Sequence, residues 1–328
     1  MKKLMGILSD QLEDGRDAVL VTVVASSGSA PRGAGAHMLV DESGRCAGTI
    51  GGGAVEYRAL ELAREVLANR GGREKQFILR TNQVEDLGMV CGGEVTVRFQ
   101  YLSGEDTQTR QAAALAGEAF HEGRPCWLVL GPDSDRLTVC TRETLAEAEL
   151  PEEVKASCGR KPALTGGWYT EPLLRNGWVY IFGGGHVAQA LVPILASVEF
   201  RCVVLEDRPE FCRPELFPGA EETVLIQPEE WEQKLHLTED DFICIVTRGH
   251  KNDTDCEAFA LRTPASYIGV IGSRRKIAAV NARLKERGFT DEDLTRITTP
   301  IGLPILAETP AEIAVSIAAQ MIMVRAEQ

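Results

Sequence analysis

The sequence predicts an α/β protein: a C-terminal doubly wound parallel sheet of Rossmann type, preceded by a separate N-terminal α/β domain. Two observations carry that prediction. Residues 178–191, WVYIFGGGHVAQAL, run an apolar β-favouring segment into Gly183, Gly184 and Gly185, then into a helical pattern on Val187, Ala190, Leu191 and Ile194. Gly183, Gly185 and Ala188 fit the GxGxxA turn. There the first glycine makes the bend, the second lets backbone approach a pyrophosphate, and the small third residue lets helix pack on strand. Beyond it, short apolar segments alternate with helical patterns as far as residue 287. Such alternation means a parallel sheet with helices on both faces, joined right-handedly.

Composition sets the outer bounds. A chain of 328 residues can bury two cores, and 44% hydrophobic with 25% charged residues is ordinary for a soluble protein. No apolar run reaches the roughly 20 residues that span a bilayer, and the Met1-Lys2-Lys3 start leads into an amphipathic segment, so a cytoplasmic protein is expected. The net charge of −13 argues against a nucleic-acid surface, which needs clustered cations. Nine cysteines, an odd number with no CxxC pair, suit reduced thiols better than a disulfide framework or a zinc site.

Taken in order, Leu4, Leu8 and Leu12 predict an opening helix that stops near Gly15, and residues 18–26, AVLVTVVAS, predict a strand buried on both faces. The following loop concentrates Ser27, Gly28, Ser29, Pro31, Arg32, Gly33 and Gly35. Its amides can wrap an oxyanion while Arg32 pairs with it, although the same residues would also serve as a plain turn with a surface arginine. Residues 37–40 and 45–50 flank DESG as a hairpin. Gly51, Gly52 and Gly53 then open a helical segment that ends at Gly71, a second glycine turn at a helix start, with Glu56 in the first turn. After a strand at 76–79 comes DLGMVCGGE, where Cys91 stands beside Gly92 and Gly93. A strand with one exposed face follows on Val95, Val97 and Phe99.

These motifs, SxGSxPRxxGxxMLV, GxIGGGxVE and DLGMVCGGE, with YIFGGGHVAQAL in the second half, resemble the XdhC/CoxI family of accessory factors for molybdenum hydroxylases over nearly the whole chain. The resemblance implies a homodimeric protein that binds molybdenum cofactor, a pterin dithiolene with a phosphate. Such a protein supports sulfuration of the cofactor by a cysteine desulfurase and its insertion into an apo-hydroxylase such as xanthine dehydrogenase. One position departs from it. Many members carry cysteine directly after the second-motif glycines, and here that residue is Ala54. If that thiol is the family's ligand, either Cys91 takes over as the molybdenum ligand or binding relies on backbone amides and Arg32.

The first domain is expected to span 1–175, with an irregular connector from about 143, rich in charge, proline and glycine; the second spans 176–328. In the second domain, residues 200–207, FRCVVLED, form a strand ending in Glu206 and Asp207, at about the 20-residue offset of a ribose-binding carboxylate, and Asp207 is taken as the candidate. Further strands are expected at 223–226, 242–246 and 267–271, with helices around 229–235, 255–261 and 275–287. Two loops join the glycine turn and His186 at the carboxyl ends of the strands: TRGHKND with Arg248, His250, Lys251 and Asp253, and IGSRRK with Ser273, Arg274, Arg275 and Lys276. Both loops lie within the family resemblance. They make a phosphate or pterin cleft in an otherwise acidic protein, and His186 and His250 are the candidates for proton transfer. Thr309, Pro310 and Glu312 form the start of a last helix with Ile313, Ile317 and Met321 on one face. Two other functions fit the second domain: an oxidoreductase using NAD(P), and a module that senses a nucleotide to regulate docking.

Overall fold

The computed structural model describes residues 1–29, 32–79, 93–132, 136–174, 177–247 and 250–327. The chain falls into two units, Met1–Arg175 and Asn176–Gln328. In the first, α1 (Lys2–Glu13) leads to β1 (Ala18–Ser27), the β2 (His37–Asp41) and β3 (Gly44–Gly48) hairpin, α2 (Gly53–Asn69), β4 (Arg73–Ile78) and β5 (Glu94–Leu102). These strands form an antiparallel sheet in the order β3-β2-β1-β5-β4. Successive strand residues point to opposite faces. In β1, Val19, Val21 and Val23 pack towards Val55, Ala59 and Leu62 of α2, and Leu20 and Val24 pack with Leu4, Leu8 and Leu12 of α1. Both faces are covered, which is why β1 reads as an unbroken apolar run.

The sequence expectation for β5 is corrected here. Its second face is not exposed: Arg98 and Gln100 are buried. Arg98 donates from Nη1 to the Leu130 and Gly131 carbonyls and from Nη2 to the Gly167 carbonyl, and it pairs with Glu74 at 2.8 Å. A polar residue at every second position suggests solvent; here those residues bond to a second layer. That layer follows α3 (Thr107–Glu122) and consists of β6 (Cys126–Leu130), β7 (Thr138–Thr141), α4 (Arg142–Glu147), α5 (Glu152–Ser157), β8 (Ala163–Thr165) and β9 (Trp168–Pro172), with strand order β7-β6-β9-β8. The expected irregular connector from 143 is therefore structured: two short helices and a hairpin complete the second sheet. Thr141 caps α4 through a reciprocal bond with Thr144, and Gly166 and Gly167 make the β8–β9 turn.

The second unit contains β10 (Val179–Phe182), α6 (His186–Ser197), β11 (Cys202–Glu206), β12 (Glu222–Leu225), α7 (Trp231–Lys234), β13 (Phe242–Ile245), α8 (His250–Arg262), β14 (Tyr267–Val270), α9 (Arg274–Glu286), α10 (Asp291–Leu294), β15 (Ile297–Thr298) and α11 (Pro310–Glu327). All six strands are parallel, in the order β12-β11-β10-β13-β14-β15. Renumbered within the unit this is 3-2-1-4-5-6, the Rossmann order, and its switch point lies between β10 and β13. One face carries α6 and α11 around Ile181, Leu191, Ile317 and Met321; the other packs Phe182, Trp231, Phe259 and Val280. The sequence reading omitted α10 and β15, both very short, and began α8 five residues late. No helix among the described residues is long and apolar enough to cross a membrane.

Candidate functional site

In the first unit the antiparallel topology brings the glycine motifs together. β1 ends at Ser27, β2 begins at His37, β3 ends at Gly48 and β5 begins at Glu94, and the register pairs Ser27 with Glu94 and Met38 with Gly48. All of these termini lie at one end of the sheet. The approach is close: a Cβ added to Gly93 would lie 2.6 Å from the Ser27 carbonyl and 2.7 Å from that of Ser29. Ser27, Gly28, Ser29 and Arg32 are exposed, and no ion pair holds Arg32 among the described residues. Cys91 lies outside the described residues.

The second glycine turn of this unit is arranged differently from the expected open anion site. Glu56, buried in the first turn of α2, reaches back over the turn. Its Oε2 accepts from Thr49 Oγ1, from the Ile50 amide at 3.0 Å and from the Gly52 amide at 3.2 Å, while Oε1 accepts from Arg45 Nη1 at 2.6 Å. Burial works to raise the Glu56 pKa; these donors and the Arg45 charge outweigh it and hold the carboxyl below its ordinary value. Gly51, Gly52 and Gly53 all have positive φ, a backbone path that favours glycine, and the Gly51 amide donates to Thr49 Oγ1. Ala54 is the second residue of the helix.

Beneath the first loop is a buried polar cluster that the sequence reading missed. His37 Nε2 lies 2.6 Å from Glu171 Oε2, which also accepts from Tyr169 Oη at 2.7 Å, and His37 Nδ1 lies 3.0 Å from Thr22 Oγ1. Burial opposes the Glu171 charge, yet His37 and the Tyr169 hydroxyl keep its pKa below the usual range. Glu171 belongs to the segment read as a connector, so no local signal marked it.

In the second unit, β10 delivers the chain to the glycine turn at the switch point. Gly183 has φ +103°, and a Cβ there would lie 2.9 Å from Thr247 Cα, so a side chain would strike the end of β13. Gly185 is open: no described residue lies within 4 Å of where its Cβ would be, and α6 starts without a side-chain cap among the described residues. His186, its first residue, is exposed. Of the acidic pair the sequence placed at this strand end, Glu206, the last residue of β11, is the carboxylate that touches the turn, while Asp207, the candidate taken from the pair, follows it. Glu206 accepts from the Gly184 amide at 2.6 Å, from the amides of Asp207 and Arg208, and from Arg208 Nε and Nη2. Burial raises its pKa and this donor set, led by Arg208, more than reverses the effect; Asp207 is pushed up by its acidic neighbour.

The remaining candidates divide. Lys276, on α9, is already paired: its Nζ lies 2.6 Å from Asp253 Oδ2 and donates to the Ile271 carbonyl at 3.3 Å. Asp253 is fully buried and accepts from Thr247 Oγ1. Close by, burial and the Asp253 charge push the Glu257 carboxyl up to about 7, against the opposing Lys276 charge. Ser273 caps α9 by accepting from the Lys276 amide. His250 opens α8 and Arg274 opens α9, at the ends of neighbouring strands; Arg248 lies outside the described residues. Glu257 and Thr247 were missed as site residues, because each acquires its role from a partner, Asp253, that the local pattern does not reveal.

These features define a class, a two-unit α/β protein that joins a glycine-looped antiparallel domain to a Rossmann domain. The chain belongs to the XdhC and CoxI family: the family of that description matches residues 11–80, and the XdhC Rossmann domain matches 179–321. The uncharacterized protein YqeB of Escherichia coli is 27% identical over 93% of this chain, which spans only 43% of YqeB. A protein of Bacillus subtilis described as a probable subunit of xanthine dehydrogenase is 26% identical, with 97% of this chain and 96% of that protein covered. The molybdenum cofactor insertion chaperone PaoD of Escherichia coli is 24% identical, with 97% and 87% covered. A crystal structure described as a xanthine dehydrogenase from Bacillus halodurans has the same fold, with a TM-score of 0.78 at 24% identity, covering 100% of this chain and 96% of that one.

Proposed function

We propose that this chain is an accessory factor that binds molybdenum cofactor as cargo, supports its sulfuration and inserts it into an apo-molybdenum hydroxylase. The observation that carries this reading is that β1 and β3 end, and β5 begins, at one end of the first sheet. A rim of amides from Ser27, Gly28 and Ser29 with the Arg32 guanidinium, which no ion pair holds among the described residues, suits a phosphate, and Arg can bind it through two parallel hydrogen bonds. Because Glu56 fills the amides of the second turn, its part is to hold that loop in shape. Where Ala54 offers no thiol, we assign the molybdenum contact to Cys91, with binding through the amides and Arg32 alone as the alternative. Among the relatives, the insertion chaperone and the probable dehydrogenase component support the same role. The partners are an apo-hydroxylase, a cysteine desulfurase and a second copy of the chain.

The test is retention of isolated cofactor by the apo-protein, with molybdenum counted by mass spectrometry and pterin by fluorescence after oxidation. Stoichiometric retention is expected, lowered about tenfold by Arg32→Ala, since loss of a charge-assisted bidentate contact removes a strong interaction. Cys91→Ser should release molybdenum more than pterin. Equal retention by wild type and both variants would refute the reading.

The second unit supports a second reading. Its strand order and the open Gly185 favour a nucleotide at this rim. One use is hydride transfer by NAD(P), with His186 or His250 moving the proton; the other is sensing, with Gly183, Gly185, Asp207, Arg248, Ser273, Arg274 and Lys276 around the ligand. Turnover of a small substrate supports the first. Nucleotide binding without turnover that alters affinity for a hydroxylase supports the second.

A further inference from the structure

The buried cluster of the first unit also reaches the loop above it. Its hydrogen-bond directions are set by chemistry, because the Glu171 carboxylate can only accept. Tyr169 Oη therefore donates to Oε2 at 2.7 Å, and His37 carries a proton on Nε2, 2.6 Å from the same oxygen, while its Nδ1 faces Thr22 Oγ1 at 3.0 Å. Burial and the Glu171 charge push the Tyr169 phenol up, so it stays a donor. The other carboxylate oxygen, Oε1, lies against Gly35: a Cβ there would be 3.3 Å from Oε1 and 3.2 Å from Pro162 Cγ, and its φ of +91° also favours glycine. Gly35 is where the chain passes from exposed residues 32–34 to the buried start of β2. Its amide donates to the Val23 carbonyl at 3.0 Å, and the Val23 amide donates to the Ala36 carbonyl at 2.9 Å. The return leg of the loop is thus pinned between β1 and Glu171.

A buried ionic cluster adds little net stability over apolar packing of the same volume, and its better-attested use is to specify one arrangement. Here the arrangement that it touches is the loop bearing Arg32, three residues before Gly35. We infer that Glu171 is a positioning residue for the cargo site: held by His37 and Tyr169, it fixes the loop at Gly35 and so sets where Arg32 is offered to the cofactor's phosphate. The inference rests on the cargo reading. It also gives the second sheet of this unit a part in the site, since Glu171 comes from β9. The charge arrangement fits as well. Both donors to Glu171 come from inside the core, and no ion pair holds the exposed Arg32 among the described residues, so the guanidinium is left for an anion from outside.

A double-mutant cycle on cofactor retention by the full chain tests this, because a residue that acts through Arg32 has nothing to act on once Arg32 is gone. Glu171→Gln should lower retention of isolated molybdenum cofactor about fivefold in the wild-type background and less than about twofold beside Arg32→Ala. Without cofactor, tryptic cleavage after Arg32 should run about threefold faster in Glu171→Gln, because the loop opens more readily. Should Glu171→Gln fail to fold, Tyr169→Phe removes one donor, keeps the ring and is judged by the same cycle. Equal losses in both backgrounds make Glu171 a support of the fold alone; unchanged retention or unchanged cleavage denies it the loop. Each of these results overturns the inference and leaves the cargo reading standing. If the wild type retains no cofactor, both fall.

Discussion

The two glycine turns of this protein share a pattern, three glycines between a strand and a helix, and differ in what their amides hold. At Gly51, Gly52 and Gly53 the carboxylate comes from the helix itself: Glu56 folds back, takes the amides of Ile50 and Gly52, and is anchored by Arg45. At Gly183, Gly184 and Gly185 the carboxylate comes from the neighbouring strand. Glu206 takes only the Gly184 amide and leaves the approach to Gly185 open. A glycine turn at a helix start is thus a site for negative charge in both cases, but in one the chain supplies the charge and in the other it leaves room for a guest.

The substitution that tests this contrast hardest is Glu206→Ala. It strands the Gly184 amide and a mostly buried Arg208, and breaking a pair of this kind costs about 3 kcal/mol or more, read as a fall in the urea midpoint of the second unit. A loss smaller than about 1 kcal/mol would mean that Glu206 does not hold the turn. Next comes Gly183→Ala, which combines φ +103° with a Cβ 2.9 Å from Thr247 Cα; about 2–3 kcal/mol should be lost.

Glu56→Gln should cost the first unit about 1–2 kcal/mol at pH 7, and it carries a pH signature. The folded pKa of Glu56 lies below the ordinary value, so its contribution is present above the unfolded pKa near about 4.3. It is lost as pH falls from there through the folded pKa. Wild type should therefore lose first-unit stability on acidification below about pH 5, and the variant should show a flatter profile. Gly52→Ala meets open space but keeps φ +74°, a backbone cost of about 1 kcal/mol. Gly185→Ala should be the mildest for stability, within about 0.5 kcal/mol, because its φ of −70° suits any residue. If a nucleotide uses this turn, the same change should weaken ADP about tenfold, since the methyl would fill the space a pyrophosphate needs against the backbone. A stability loss as large as that of Gly183→Ala would erase the distinction between a turn packed shut and one left open.

Much of this was legible in the sequence where function and fold use local pattern. The stretch around Gly183 declared its strand, turn and helix, and the alternation after it pointed to a parallel sheet. The first-unit motifs carried the family. What could not be read depends on partners far along the chain. Arg98 looked solvent-facing because every second residue of β5 is polar, yet its guanidinium serves carbonyls of residues 130, 131 and 167. Lys276 read as a free cation and is held by Asp253. Between Glu206 and Asp207, only the strand's exact end decides which carboxylate faces the turn. The segment after residue 143 reads as irregular because its helices are six residues each and heavily charged, too short for periodicity to emerge.

The β2–β3 hairpin has a practical use that follows from its direction. Val40 pairs with Val19, so the hairpin's tip, the exposed Glu42 and Ser43, with Ser43 held by Asp41, lies roughly 30 Å from Ser27 along the strands. A small fluorogenic tag spliced in at that tip would report on cargo loading or partner docking without occupying the rim it watches. The same tip offers a tether for immobilising the protein with its glycine loops facing the solution.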